Sequence, residues 1–366
     1  MNYILKVTNG CNMRCSYCCV GDKSDFGIIT EKQLYKNLKF SAENTIAKGE
    51  KNAYIIFHGG EPTLLESSIY RKNIERISNE YKEIEFRWRI QTNGLNITDD
   101  HINLFCDYKF NIGVSIDGSS VIHDSVRFDI NGKPTYNKIV NNILKMKREK
   151  LSVSALMVVN SNASNDYSYL KFFDRNNINI KINPLIECGE AENNRDILLK
   201  PGEYANYIIG AFEYIINNEL NIDIQPIGDI FNKLINKSPY GECTFSENCF
   251  ANFMAIDYNG DIYPCGRFCD VYEFRSGNVS NQMDMPFDSG KICRGELVIA
   301  EKCHNCVFRR LCSGGCAFMF WKNNKKENPL CYDYKKIFKY FITEGILLLE
   351  NKLTEKRERL YNATIN

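Results

Sequence analysis

Along the first 235 positions of the chain, two periods of apolar residues alternate. Runs dominated by β-branched and aromatic residues predict strands at YILKVT (3–8), AYIIF (53–57), FRWRIQT (86–92), NIGVSI (111–116), SVSALMVV (152–159) and INIKIN (178–183). Between them, apolar positions recur at helical spacing in EKQLYKNLKFSAENTI (31–46), SIYRKNIERISNEY (68–81) and YNKIVNNILKMKREK (136–150). Six strand–helix units in series predict an α/β fold with a parallel sheet, open or curled into a partial barrel. Such sheets collect their ligands at the C-terminal ends of the strands. The pattern breaks after DIFNKLINKSPYGEC, where Pro239 and Gly241 punctuate the chain. The next hundred residues lack helical periodicity, and YKKIFKYFITEGILLLENKLTEKRERL (334–360) then predicts a long amphipathic helix.

Composition changes this picture mainly through cysteine. The 366 residues are 44% hydrophobic and 25% charged, enough apolar material for a sizeable core. With 46 Lys and Arg against 45 Asp and Glu, the net charge of +1 gives no general attraction to nucleic acid or to an anionic membrane. The lysines of KNNKKEN (322–328) read as a solvated loop. MNYILKVT lacks the apolar core and cleavage site of an export signal, and GILLLE is too short to span a bilayer. A cytoplasmic location is therefore expected. In a reducing compartment, 16 cysteines point to metal or redox chemistry rather than to disulfides.

Four of them crowd into TNGCNMRCSYCC (8–19), on the loop that follows the first strand. Cys11, Cys15 and Cys18, spaced C-x3-C-x2-C, can hold three irons of a four-iron cluster and leave the fourth open for a cofactor. The competing reading is a zinc site with Cys19 or a distant histidine as fourth ligand. Ten cysteines follow position 242: Cys243, Cys249 and Cys265, then Cys269 and Cys293, then Cys303, Cys306, Cys312 and Cys316, then Cys331. Paired C-x2-C spacing also suits structural zinc.

CNMRCSYC resembles the signature of the radical S-adenosylmethionine (SAM) enzymes, with Tyr17 as the aromatic before the last cysteine. The resemblance implies a 4Fe-4S cluster whose open iron chelates SAM. Reductive cleavage then gives a 5′-deoxyadenosyl radical that abstracts hydrogen from unreactive carbons. FHGGEPTL (57–64) resembles the glycine–glycine–glutamate motif of that family. It implies that Gly59 and Gly60 let the backbone approach the methionine amine and that Glu61 helps to bind it. By the same resemblance Asn93 in QTNG and Ser115 in SIDG touch SAM, and Arg127 holds its carboxylate as a bidentate pair.

The C-terminal cysteines, with GDIYPC (260–265) and RLCSGGC (310–316), resemble the SPASM domain of peptide-modifying radical SAM enzymes. The resemblance implies three 4Fe-4S clusters in all. Cys243, Cys249, Cys265 and Cys316 would ligate one auxiliary cluster, and Cys303, Cys306, Cys312 and Cys331 the other. Full thiolate ligation favours electron transfer over binding of a substrate sulfur. The expected organisation is a partial (β/α)6 barrel over 1–235, a SPASM domain over 236–335 and a C-terminal helix over 336–366. Cys19, Cys106, Cys188, Cys269 and Cys293 are left as small buried or incidental thiols.

Two enzyme classes fit. One matures a ribosomally made precursor peptide, with cross-link formation expected. The other is an anaerobic sulfatase maturase, which oxidises a Cys or Ser of a sulfatase to formylglycine. Sulfatase maturases resemble one another in having an Asp directly after the cysteine of G-x4-C, where this chain has Gly266, and a Gln where it has His58. This departure favours the precursor peptide. It leaves the base to be sought among His58, Asp117, Asp257, Asp261 and Glu187, with His58 and Asp117 placed as the catalytic candidates. The chain begins at the first strand of the barrel, so a leader-binding module is expected to be separate or unnecessary. The chemistry implies a low-potential flavodoxin or ferredoxin as electron donor. A non-catalytic iron–sulfur or zinc-binding protein is the reading of another class.

Overall fold

The computed structural model describes residues 1–365 except 21–25, 164, 236–242, 247–248 and 290–298, with side chains to 358. Cys293 lies outside the described residues. In chain order the strands are β1 (Asn2–Thr8), β2 (Met13–Cys15), β3 (Asn52–Gly59), β4 (Glu85–Thr92), β5 (Asn111–Ser115), β6 (Arg127–Asp129), β7 (Ser152–Val159), β8 (Ile180–Pro184), β9 (Ile224–Gln225), β10 (Phe253–Ile256), β11 (Asp261–Tyr263) and β12 (Gly277–Asn278). Each of the six runs read as strands is a strand.

The chain divides into two compact units. The first comprises Met1–Met157, Ile186–Asp196 and Asn248–Val298; the second comprises Val158–Leu185, Ile197–Glu247 and Ile299–Asn366. The compact units therefore do not follow boundaries at 235 and 335. The physical reason lies in the sheet of the first unit. There β10 pairs in parallel with β1, Asn2 opposite Phe253 and Leu5 opposite Ile256, so a strand from the cysteine-rich region completes the N-terminal sheet.

In the first unit the strand order is β12-β11-β10-β1-β3-β4-β5-β7. The pairs from β10 to β7 are parallel, and β11 and β12 are antiparallel additions. Helices Glu31–Ala47, Ser67–Glu80, Asp99–Asp107 and Tyr136–Arg148 follow β2, β3, β4 and β6. Thr30 caps the first by accepting from the Gln33 N–H at 3.1 Å, and Thr98 and His101 form a capping box on the third. These helices bury Leu34, Leu38, Ile74, Ile77, Phe105, Ile139 and Ile143 completely.

Alternation along the strands gives the sheet two unlike faces. Tyr3, Leu5, Ala53, Ile55, Phe57, Ile112 and Val114 fill the apolar one, with Phe57 edge-on to Tyr70 at 4.8 Å and stacked over Trp88 at 6.0 Å. The other face has Lys6 opposite His58, and Gln91 opposite Gly113, and is markedly polar toward the strand ends.

In the second unit β8 and β9 are parallel. Its core is aromatic: Phe212, Phe231 and Phe341 meet at 5.0–5.4 Å, and Phe245 packs against Tyr334 and Phe338. Asp333 caps helix Glu203–Asn217, accepting from Gly202 N–H at 3.1 Å and Ala205 N–H at 2.9 Å. The predicted C-terminal helix is broken by one π-helical turn, Phe341–Gly345, between Cys331–Tyr340 and Ile346–Ile365. Among the described residues no helix is long and apolar enough to cross a membrane.

Candidate functional site

Cys11, Cys15 and Cys18 lie on the loop beyond the C-terminal end of β1, all partly exposed. The loop is held from four sides within the first unit. Cys15 ends β2, which pairs with β6 so that Cys15 faces Arg127, and Ser16 N–H donates to Val126 O at 2.9 Å. The turn after β3 grips the near side: Gly60 N–H donates to Thr8 O at 2.7 Å, and Glu61 N–H to Gly10 O at 2.8 Å. A Cβ at Gly59 would overlap the Thr8 carbonyl, and one at Gly60 would overlap the Gly10 carbonyl. Both glycines are thus required for the close approach of two chain segments, and Gly60 and Glu61 spend their N–H groups there rather than on a ligand.

Glu61 is fully buried. Its Oε1 accepts from Thr63 N–H at 2.9 Å and from the Thr63 and Thr92 hydroxyls at 2.7 Å, and its Oε2 from Asn93 N–H at 2.7 Å. Burial raises its pKa, while those four donors pull the other way. Its carboxylate joins the end of β3 to the end of β4. Asn93 passes this order on, since its Nδ2 reaches Asn12 Oδ1 at 2.7 Å and Cys11 Sγ at 3.6 Å.

On the far side Arg127 Nε donates to Asp117 Oδ2 at 2.9 Å, and the Tyr17 hydroxyl donates to the same oxygen. The guanidinium lies over the Tyr17 ring at 5.2 Å and reaches Cys15 Sγ at 3.9 Å. His123, fully buried, accepts from Asp117 N–H at 3.2 Å through Nδ1 and meets Thr135 Oγ1 at 3.0 Å through Nε2. Asp117 is fully buried, and its Oδ2 is shared by Arg127 and Tyr17.

Burial, and then the Lys6 charge, push the His58 pKa down to about 4, and its Nδ1 accepts from Gly59 N–H at 2.8 Å. Ser115 accepts from Gln91 Nε2 at 3.1 Å, a strand-end pair on the polar face.

The fourth hold came from a stretch without periodicity. Glu190 N–H donates to Cys18 O at 2.9 Å, and Asn194 Nδ2 to Ser16 O at 3.0 Å. Gly189, at φ +56°, lies so close that a Cβ would overlap Cys18 O. Beside it the Cys188 thiol hydrogen-bonds Cys19 and lowers its pKa to about 6.

The loop fits a metal cluster with a polar ligand. Three thiols share it, and donors from Asn93 and Arg127 point at two of the sulfurs. Asn9 Oδ1 and Asn12 Nδ2, which flank Cys11, are buried with no hydrogen-bond partner. Burial, and then the Glu61 charge, push the Cys11 pKa up to about 12, the state that a metal ion reverses by deprotonating the thiol.

In the second unit, Cys303, Cys306, Cys312 and Cys331 line one cavity, with Lys302, Arg309 and Lys335 around it. Burial pushes Cys312 up to about 12, and Cys303 is raised by burial and by the charges of Cys331 and Cys306. Of the other expected set, Cys249 and Cys265 belong to the first unit and Cys243 and Cys316 to the second. Among the described residues no three Cys, His, Asp or Glu side chains converge as ligands of one metal ion. A four-iron cluster binds each thiolate to a different iron and needs no such convergence.

Residues 5–166 match the model of the radical SAM superfamily. The chain is 27% identical to a cysteine-type anaerobic sulfatase-maturating enzyme of Clostridium novyi, over 93% of this chain and 95% of the relative. The structure of native anSMEcpe with bound AdoMet and Cp18Cys peptide has the same fold, with TM-score 0.80 and 22% identity over 96% of this chain and 99% of that one. The structure of Streptococcus suis SuiB bound to precursor peptide SuiA gives TM-score 0.63 and 17% identity over 90% and 75%.

Proposed function

We propose, for a chain that carries a radical SAM domain over residues 5–166, that it oxidises a Cys or Ser side chain of a sulfatase-type peptide to formylglycine. The observation that carries this reading is the Cys11, Cys15 and Cys18 loop, held by Gly60, Asn93, Arg127 and Glu190 at the C-terminal end of β1. Likeness to sulfatase-maturating enzymes along nearly the whole chain supports the substrate class. When bound, the cluster supplies the electron that cleaves SAM and so the radical that removes a substrate hydrogen. The protein's own part is to fix three thiols on one loop, keep Arg127 charged beside Cys15 through Asp117, and leave Asn9 and Asn12 with free polar atoms for the cofactor.

A precursor peptide is the second reading, favoured by Gly266. A Cβ there would meet only Ile4 at 3.5 Å, so packing does not force the loss of an acid at that position. The wider assignment adds two auxiliary 4Fe-4S clusters on the eight C-terminal cysteines, a SPASM domain over about 236–335, a flavodoxin or ferredoxin donor and a cytoplasmic location. The test is anaerobic incubation of reconstituted protein with SAM, a reductant and a Cys-x-Pro-x-Arg peptide. Aldehyde formation on the peptide supports the proposal. SAM cleavage without aldehyde rejects it in favour of the precursor peptide.

A further inference from the structure

Lys6 is an unusual residue for the middle of a buried parallel strand. Its side chain is 6% exposed, and it lies in β1 with His58 opposite. It forms ion pairs with Asp270 Oδ2 at 3.1 Å and Asp257 Oδ1 at 3.7 Å. Burial pulls its pKa down, but Cys269, Asp257 and Asp270 outweigh that and hold it charged. Its charge also acts on His58 and on Cys19.

The two carboxylates differ. Asp257 is 6% exposed and spends Oδ1 on Lys6 and Tyr258 N–H, and burial raises its pKa. Asp270 is 37% exposed, and its Oδ1 accepts no hydrogen bond among the described residues. It sits at φ +73°, in the left-handed region that Asp enters more readily than most non-glycine residues. The other acids of this unit considered as bases are ion-paired with arginines, Asp117 with Arg127 at 2.9 Å, Asp261 with Arg275 at 2.6 Å and Glu187 with Arg195 at 2.7 Å, whereas Asp270 pairs with a buried lysine of the sheet.

We propose that Asp270, oriented by Lys6, is the base of the reaction and replaces the acid missing at Gly266. The inference rests on the function proposed above. As the neighbouring carbon gives a hydrogen atom to the 5′-deoxyadenosyl radical and one electron to an oxidised iron–sulfur cluster, the S–H or O–H bond of the substrate side chain breaks, a carbon–heteroatom double bond forms and a carboxyl O–H forms on Asp270. On a Cys substrate, water then replaces the sulfur, which leaves as hydrogen sulfide. The bonding pair stays on the heteroatom. Lys6, paired with Asp270 Oδ2 at 3.1 Å, orients the carboxylate and is a positioning residue.

The experiment compares wild type, Asp270→Asn and Asp270→Glu in the reconstituted holoenzyme with the Cys-x-Pro-x-Arg peptide, reading formylglycine formed per 5′-deoxyadenosine. General-base loss predicts a fall of about 100-fold for Asp270→Asn. Asp270→Glu is expected to return most of it, which a purely structural role would not predict. Lys6→Met is expected to lower the ratio and Lys6→Arg to return most of it, because the ion pair that orients Asp270 is lost in the first and kept in the second. Asp270→Asn with the wild-type ratio and wild-type pH profile would overturn the inference alone. No aldehyde from wild type overturns the functional reading, and the inference with it.

Discussion

The backbone N–H of Asn93 donates to Oε2 of Glu61 across 2.7 Å, tying the end of β4 to the turn after β3. The other oxygen of Glu61 takes three donors, so the carboxylate works as a hub for the strand ends. Glu61→Gln sets an amide donor against donors in a fully buried place. The expected loss is about 2 kcal/mol, measured by anaerobic urea denaturation. An unchanged midpoint would show that the hub contributes nothing to the fold.

The Arg127–Asp117 pair is nearly out of solvent, with side chains 9% and 0% exposed. Breaking it from one side leaves a buried charge unpaired. Asp117→Asn is expected to cost about 3 kcal/mol. It should also weaken SAM binding, read by equilibrium dialysis. Arg127→Met, which strands the carboxylate instead, is expected to cost at least as much.

Acid should destabilise the protein through His123. Burial, and then the Arg127 charge, depress its pKa to about 4 in the folded state, below its unfolded value of about 6.5. The folded state then binds fewer protons than the unfolded state between these limits. Its stabilising contribution is complete above pH 6.5 and falls by about 1.4 kcal/mol per pH unit on the way to pH 4. His58 acts in the same window and direction. Urea midpoints at pH 7.5 and 5.0 measure the slope, and His123→Gln should flatten it.

Metal content separates the cluster and zinc readings. The wild type is expected to hold about 12 irons and as much sulfide per chain, and Cys303→Ser to lose about four of each. Cys11→Ser should lose about four and also abolish SAM cleavage. Zinc without sulfide would sink the enzyme assignment altogether.

Gly189→Ala tests the hold that comes from outside the cysteine loop. The new methyl group meets the Cys18 carbonyl, and φ +56° is itself unfavourable for alanine. Iron retained after desalting should fall by about the share of one cluster, while Gly132→Ala, at φ +76° but in open space, should keep its full iron content.

The strands were legible because each depends on local alternation, and the site residues because they close those strands. Cys11, Glu61, Asn93 and Ser115 all stand at or just beyond a strand's C-terminal end. Three things were not legible. The role of Glu61 depends on which donors surround it, and only the packed turn reveals four of them from its own chain. The clamp of Gly189, Glu190 and Asn194 lies in a stretch with no period to announce it. The Lys6–Asp270 pair joins positions 264 apart, and nothing local in CGRFCD marks the aspartate as a partner of the first strand.

The pairing of β1 with β10 sets a timetable for synthesis. One neighbour of β1 is complete once β3 has been made, but its other neighbour, opposite Asn2, is Phe253. At ribosomal speeds of about 5–20 residues per second, that edge waits roughly 12–50 s for its partner. Throughout the interval the nascent chain exposes an unpaired strand edge next to the loop of Cys11, Cys15 and Cys18. The sheet that carries the loop is closed on that side only once residue 256 of 366 has been made.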